Sequence, residues 1–206
     1  MQRKIKFNKK EYKELDVRNY LKEALFECNS EEHMSELVES IVERFKNAKN
    51  PAIICVGTKK VYFDSFGPTL YDAFLELGVD EDKIYWFHGA NASKVIPKIK
   101  DNNHDVTIAF DAEVLTTKEL DIMKLRFRDM PIAPGAGCGK CIEKVGDFSI
   151  TLPIGFKSDL KTLIWNDHIL YDIKDIQKIS KAFAKVFLEK VSTSYNFVKE
   201  PNKNLS

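Results

Sequence analysis

The chain has 206 residues, 44% apolar and 31% charged, and 32 Lys and Arg nearly balance 31 Asp and Glu for a formal net charge of +1. That length supports one sizeable core without staples, and the near-neutral balance leaves no electrostatic footprint for nucleic acid. No apolar run approaches the roughly 20 residues of a membrane-spanning helix, and four cysteines in a chain this long do not make a disulfide framework.

The N-terminus lacks the apolar core of a secretory signal, so a cytoplasmic protein is expected, with no nucleic-acid and no membrane partner. Residues 1–30 read as an N-terminal extension, partly helical. They begin basic, with Arg3, Lys4, Lys6, Lys9, Lys10 and Lys13, but Glu11 and Glu14 interrupt the run. A solvated tail fits that pattern better than an arm for an anionic partner. Residues 17–28 read as a helix. A second helix starts near Asn29, whose spacing to Glu32 suits a capping box. Met34, Leu37, Val38, Ile41, Val42 and Phe45 then recur at helical spacing, a single apolar stripe that should pack on a sheet face.

Ile53–Val56 is short, apolar and β-branched, the pattern of a buried strand in a parallel sheet. Gly57 ends it. Pro68 suits the first turn of the following helix and Gly78 the position just past its end. Between them runs a loop that ends in Asp64. Strand-to-helix loops line the ligand crevice of open α/β sheets, which puts Asp64 beside the expected site. It also lies near a helix N-terminus that favours its ionised form.

Ile84–Phe87 reads as a second strand, Asn91–Lys100 as a short helix or turn carrying Pro97, and Val106–Phe110 as a third strand running straight into Asp111. Strand, helix, strand, helix, strand is the pattern of a doubly wound sheet with right-handed crossovers. Strand C-termini then share one rim, so Asp64 and Asp111 face each other if the first and third strands are neighbours. Glu113–Met123 reads as helical, Lys124–Arg128 as a short strand, and Phe148–Ile154 as a further strand. Leu160–Leu170 fits either class. Ile173, Ile176, Ile179, Phe183, Val186 and Phe187 mark a last helix after Asp172. One α/β domain over 31–194, a three-layer αβα sandwich, and a loose tail over 195–206 complete the expectation.

Two close carboxylates cannot both ionise cheaply, so they share a proton and their apparent pKa values separate. Such a pair can activate water with one oxygen and hydrogen-bond a scissile carbonyl with another. The plain alternative is that each acid caps a turn or strand end through backbone N–H groups. His88 follows the second strand, and Asp64, Asp111 and His88 would make a divalent-metal site, or His88 is simply a turn histidine. His33, His104 and His168 receive no role. Cys138 and Cys141 read as incidental thiols, with a dimer-shared metal or a redox switch as the alternative. Gly135–Gly137 either offers N–H groups to a developing oxyanion or makes a tight turn.

Gly57-Thr58, five further residues, then Asp64-Ser65-Phe66-Gly67-Pro68 resembles the Gly-Thr-Asp-Arg-x-x-Gly-Asp-x-x-Gly-Pro loop of the YyaC-like family of sporulation proteins, regarded as spore proteases. Ala109-Phe110-Asp111-Ala112 is similar to that family's second acidic motif. Pro134-Gly135-Ala136-Gly137 followed by Val145–Thr151 is similar to its third block. The resemblance covers about residues 51–190. That family in turn resembles germination protease and the hydrogenase-maturation proteases, which share a phosphorylase-like α/β fold. The resemblance implies a peptidase-like hydrolase of sporulation or germination, in forespore or mother cell, with Asp64 and Asp111 as catalytic acids. It further implies that Gly57, Thr58, Lys59, Lys60, Gly135, Ala136 and Gly137 hold a protein or peptide substrate. The hydrogenase-maturation enzymes use the two acid positions, with a histidine, to bind metal. No histidine matches here, so no cofactor is expected and a metal-free pair is favoured. A homo-oligomer is left open.

Lys59-Lys60 replaces the family's Asp-Arg, and Phe63 stands where the family has Gly. An altered loop raises a second reading: a domain without turnover that holds an acidic or anionic partner through Lys59 and Lys60. Asp147 matches the family but starts a strand, which makes it a structural acid at the opposite edge.

Overall fold

The computed structural model describes residues 27–115, 124–135, 142–156 and 171–198. Expectations for residues 1–26, Ala136, Gly137, Cys138, Cys141, Leu160–Leu170 (with His168) and residues 199–206 lie outside these. In chain order the elements are α1 (Glu31–Phe45), β1 (Pro51–Val56), α2 (Phe66–Glu76), β2 (Ile84–Phe87), α3 (Ala92–Asp101), β3 (Val106–Leu115), β4 (Arg126–Arg128), β5 (Phe148–Phe156) and α4 (Ile173–Tyr195).

The strands form a sheet of order β2-β1-β3-β5-β4, parallel except for the edge strand β4. From β1 the chain moves out to β2 through α2, then returns past β1 to β3 through α3. Right-handed crossovers in opposite directions place their helices on opposite faces. The core follows that division. Ile53, Cys55, Phe110, Phe148, Ile150 and Leu152 project to one face and pack with the apolar sides of α1, α2 and α4. Rings meet edge-on there, Phe74 with Phe187 at 5.2 Å and Phe110 with Phe183 at 5.6 Å between centroids. The other face carries Ala52, Ile54, Val56, Tyr85, Phe87 and Ala109 under Ala92, Ile96 and Ile99 of α3. The expected three-layer αβα architecture is therefore what the chain adopts, and β1 and β3 are neighbours.

Four local expectations need correction. The cap of α1 is Ser30, whose Oγ accepts the His33 N–H at 3.3 Å. Asn29 is buried instead, donating to the Tyr171 hydroxyl at 2.9 Å and accepting the Leu125 N–H at 2.8 Å, so a long-range tie outcompetes the local cap. Residues 113–115 are strand rather than helix, because β5 pairs with β3 as far as Leu115. For the same reason Asp111 lies within β3 and does not end it. Finally, residues 195–198 are not loose: Phe197 is fully buried, its carbonyl accepts the Asp80 N–H at 2.8 Å, and Val198 bridges Val79. Among the described residues no helix is long and apolar enough to cross a membrane.

Candidate functional site

The loop after β1 is shaped by two close backbone approaches. Gly57 has φ +125°, and a Cβ there would collide with the Asp64 carbonyl oxygen. A Cβ on Gly67 would collide with the Val56 carbonyl, because the first turn of α2 sits flush on the end of β1. Glycine is what lets backbone pass backbone at both points. Within the loop the Thr58 N–H donates to both the carbonyl oxygen and Oδ2 of Asp64, each at 2.9 Å. A single 3-10 turn, Tyr62–Asp64, presents that carboxylate, and the Ser65 hydroxyl locks the turn by donating to the Tyr62 carbonyl at 2.6 Å. From β2, the Trp86 indole N–H donates to the Gly57 carbonyl at 2.9 Å, and the Gly57 N–H donates to Phe87 at 3.1 Å.

Asp111 reaches the same place by a different route. Pairing between β1 and β3 stops at Cys55 with Phe110, whereas β3 continues beside β5 with Asp111 opposite Thr151. Asp111 is therefore the first β3 residue past the paired stretch of β1, level with Val56 at that strand's C-terminal end. Its Oδ1 accepts the Ala112 N–H at 2.8 Å. Strand alternation sends Phe110 into the apolar core and Asp111 to the opposite face.

The electrostatics couple the two acids. Burial pushes Asp64 up to about 6, against the pull of the Thr58 N–H and the nearby His88. Burial also raises Asp111 well above the usual carboxylate range, with the Asp64 charge as the next cause; the Ala112 N–H opposes this and Glu113 adds to it. The ionised Asp64 expected from its nearness to a helix N-terminus is thus overturned in direction. Desolvation exceeds the local donors, and the Asp64 carboxylate bonds its own loop. Both carboxyls therefore hold their protons more tightly than solvated carboxylates do, and the charge of one opposes ionisation of the other.

Glu113, two residues on, shares the face of Asp111. Its carboxylate accepts from Arg128 Nη2 and from the Thr151 hydroxyl, the latter at 2.8 Å, and lies 3.8 Å from Arg126 Nη1. Sequence reasoning missed this group, since reading 113–123 as a helix hides the i, i+2 relation that a strand makes. Alternation of Arg126 and Arg128 around Phe127 was the other available signal.

The remaining expected residues fall in different places. Lys59 is engaged: its Nζ pairs with Asp72 at 2.7 Å and stands 4.9 Å from the Trp86 ring centre. Lys60 is exposed, and its N–H donates to the Thr58 hydroxyl at 3.2 Å. Gly135 has φ +74°, as a turn glycine does. Asp147 sits at the start of β5, where Oδ2 accepts the Thr107 N–H at 2.6 Å and its hydroxyl at 2.9 Å, so it fastens the far edge of the sheet. His88 anchors the turn into α3, its N–H donating to Asn91 Oδ1 at 2.7 Å and its Nδ1 accepting the Ala90 N–H at 3.2 Å. Among the described residues no three His, Cys, Asp or Glu side chains, Asp64, Asp111 and His88 included, gather into a cluster of metal-binding geometry.

Comparison with solved structures finds similarity to a [NiFe] hydrogenase maturation protease HycI from Thermococcus kodakarensis KOD1, at 12% identity and a TM-score of 0.42, over 72% of this chain and 98% of that one. Comparison with curated proteins gives no match. Residues 25–186 match the family model described as Protein of unknown function (DUF1256), and the chain belongs to that family.

Proposed function

We propose that this DUF1256-family chain is a peptidase-like hydrolase in which Asp64 and Asp111 activate water against a peptide bond of a protein substrate. What supports the reading is the electrostatic coupling of two acids, remote in sequence, at the C-terminal end of β1, where the chain switches from one side of the sheet to the other. Crevices at such switch points are where open α/β sheets take their ligands.

In this mechanism Asp64, which accepts the Thr58 N–H and has His88 nearby, serves as the base. Its carboxylate takes a proton from water as the water oxygen attacks the carbonyl carbon. Asp111, protonated, donates a hydrogen bond to the carbonyl oxygen and stabilises the charge that develops there. The tetrahedral intermediate then collapses. Asp64 returns its proton to the departing nitrogen, the C–N bond breaks, and both acids recover their starting states. The Thr58 N–H keeps Asp64 aimed throughout.

The alternative, an inactive domain that grips an acidic partner through Lys59 and Lys60, has one of its two cations already committed to Asp72. Resemblance to sporulation proteins directs the substrate search to sporulating cells. Proteins from such cells, incubated with wild type and with Asp64→Asn, should yield fragments with wild type alone. Identical fragment patterns from both would defeat the acid-pair mechanism.

A further inference from the structure

The face that bears Asp111 carries more charge than this reaction uses. On β4, Phe127 packs against the apolar core, so its neighbours Arg126 and Arg128 project to the opposite face. Both reach toward Glu113: Arg128 donates Nη2 to Oε1, while Arg126 Nη1 stands 3.8 Å from Oε2, too far for a hydrogen bond. Thr151 fills the other side of Oε2 at 2.8 Å. Two guanidinium groups thus share one carboxylate. Arg128 Nε is buried and has no hydrogen-bond partner. These side chains are only partly open to solvent, 33% for Arg126, 30% for Arg128 and 23% for Glu113. A guanidinium offers its donors as a planar fork that fits both oxygens of a carboxylate. Here the fork of Arg128 is half used and Arg126 is held loosely.

We propose that Arg126 and Arg128, held by Glu113, form a subsite for a carboxylate of the peptide that lies over this face of the sheet. Its position beside the scissile bond rests on the hydrolase reading; the subsite itself does not. Asp111, Thr151 and Arg126 occupy one row across β3, β5 and β4. Two strand spacings are about 10 Å and an extended residue about 3.3 Å, so the carboxylate belongs roughly one to three residues from the bond at Asp111. An acidic side chain and the free end of a chain offer the same chemistry.

The test measures binding to the Asp64→Asn protein, without turnover, of three acetylated heptapeptides of Ala and Ser by calorimetric titration. One has a central Glu and an amidated end, one a central Gln and an amidated end, and one a central Gln and a free terminal carboxylate. At least one carboxylate peptide should bind about tenfold or more tightly than the Gln amide, and which one does so identifies the source. Adding Arg126→Gln should erase the preference. Arg128→Lys, which keeps charge and loses the fork, should weaken it, and Glu113→Gln should strengthen it by removing the internal competitor. Equal or absent binding of all three peptides up to millimolar concentration, or a preference that survives Arg126→Gln, overturns the subsite. Arg126→Gln leaves the Glu113–Arg128 pair intact and decides the matter if Arg128→Lys fails to fold. Carboxylate preference in a protein that cleaves nothing would retire the hydrolase reading alone; cleavage indifferent both to Glu and to a free terminal carboxylate would retire the subsite alone.

Discussion

The two faces of this sheet are made by the same strands and obey opposite rules. The face under α1, α2 and α4 is apolar from β2 to β4 and closed by interlocking rings. The other is apolar beneath α3 and where Val145 joins it with Ile132 and Ile142. Over β3, β5 and β4 it carries Asp111, Glu113, Thr151, Arg126 and Arg128 instead. Adjacent residues show the contrast: Phe110 is fully buried in the first core, and Asp111 supplies the carboxyl of the second face. One face supplies stability and the other concentrates charge at a cost, because buried carboxyls resist ionising. Substitutions on the two faces should therefore separate folding from chemistry.

The largest separation is expected from the acid pair. Asp64→Asn and Asp111→Asn should each lower cleavage by about 10²–10⁴-fold, while circular dichroism stays that of wild type; retained cleavage would break the division of labour. On the apolar face, Phe183→Ala should cost about 3–5 kcal/mol in urea unfolding through the cavity it leaves, with the pH dependence of any cleavage unchanged. A loss below about 1 kcal/mol would mean that this face is not the main core.

A smaller effect sharpens the comparison through pH. Asp64 has a raised pKa, so the folded state holds its proton more tightly than the unfolded chain. That contribution is complete below the unfolded value near 4 and is lost as pH rises through about 6. Asp64→Asn removes the loss. Allowing for screening by the water that reaches this carboxyl, the variant should be more stable than wild type by about 1–2 kcal/mol at pH 8 and equal to it near pH 4. The direction for Asp111→Asn is the same. A variant less stable at pH 8 would mean that the ionised acid is welcome there. Cleavage by wild type should rise as pH passes about 6 and Asp64 ionises, then fall once Asp111 loses its proton. Smallest of all, Lys59→Ala should cost less than about 1 kcal/mol, since its pair with Asp72 is exposed. A larger penalty, read by thermal melting, would give this loop a structural part.

The apolar stripes of α1 and α4, the short β-branched run of β1, and the alternation of strand with helix were readable along the chain, because those patterns repeat at the 3.6- and 2-residue periods of the backbone itself. The motif that holds Gly57 and Gly67 was readable too, but the close backbone approaches that require glycine there emerge only in the fold. Glu113 was not readable. Its role depends on β3 running past Phe110, and that continuation exists only because β5 lies alongside. Asn29 likewise offers a local cap, and only the folded chain reveals Tyr171 and Leu125 as better partners.

By itself the sequence determined the α/β alternation, the loop that presents Asp64 and the family to which the chain belongs, since each rests on local spacing. Strand order, the proximity of Asp64 and Asp111, the upward drift of both carboxyls and the Arg126–Glu113–Arg128 cluster were decided by the tertiary structure. Contacts between remote segments and removal from water are properties of packing, and no local pattern encodes which face of which strand is left for charge.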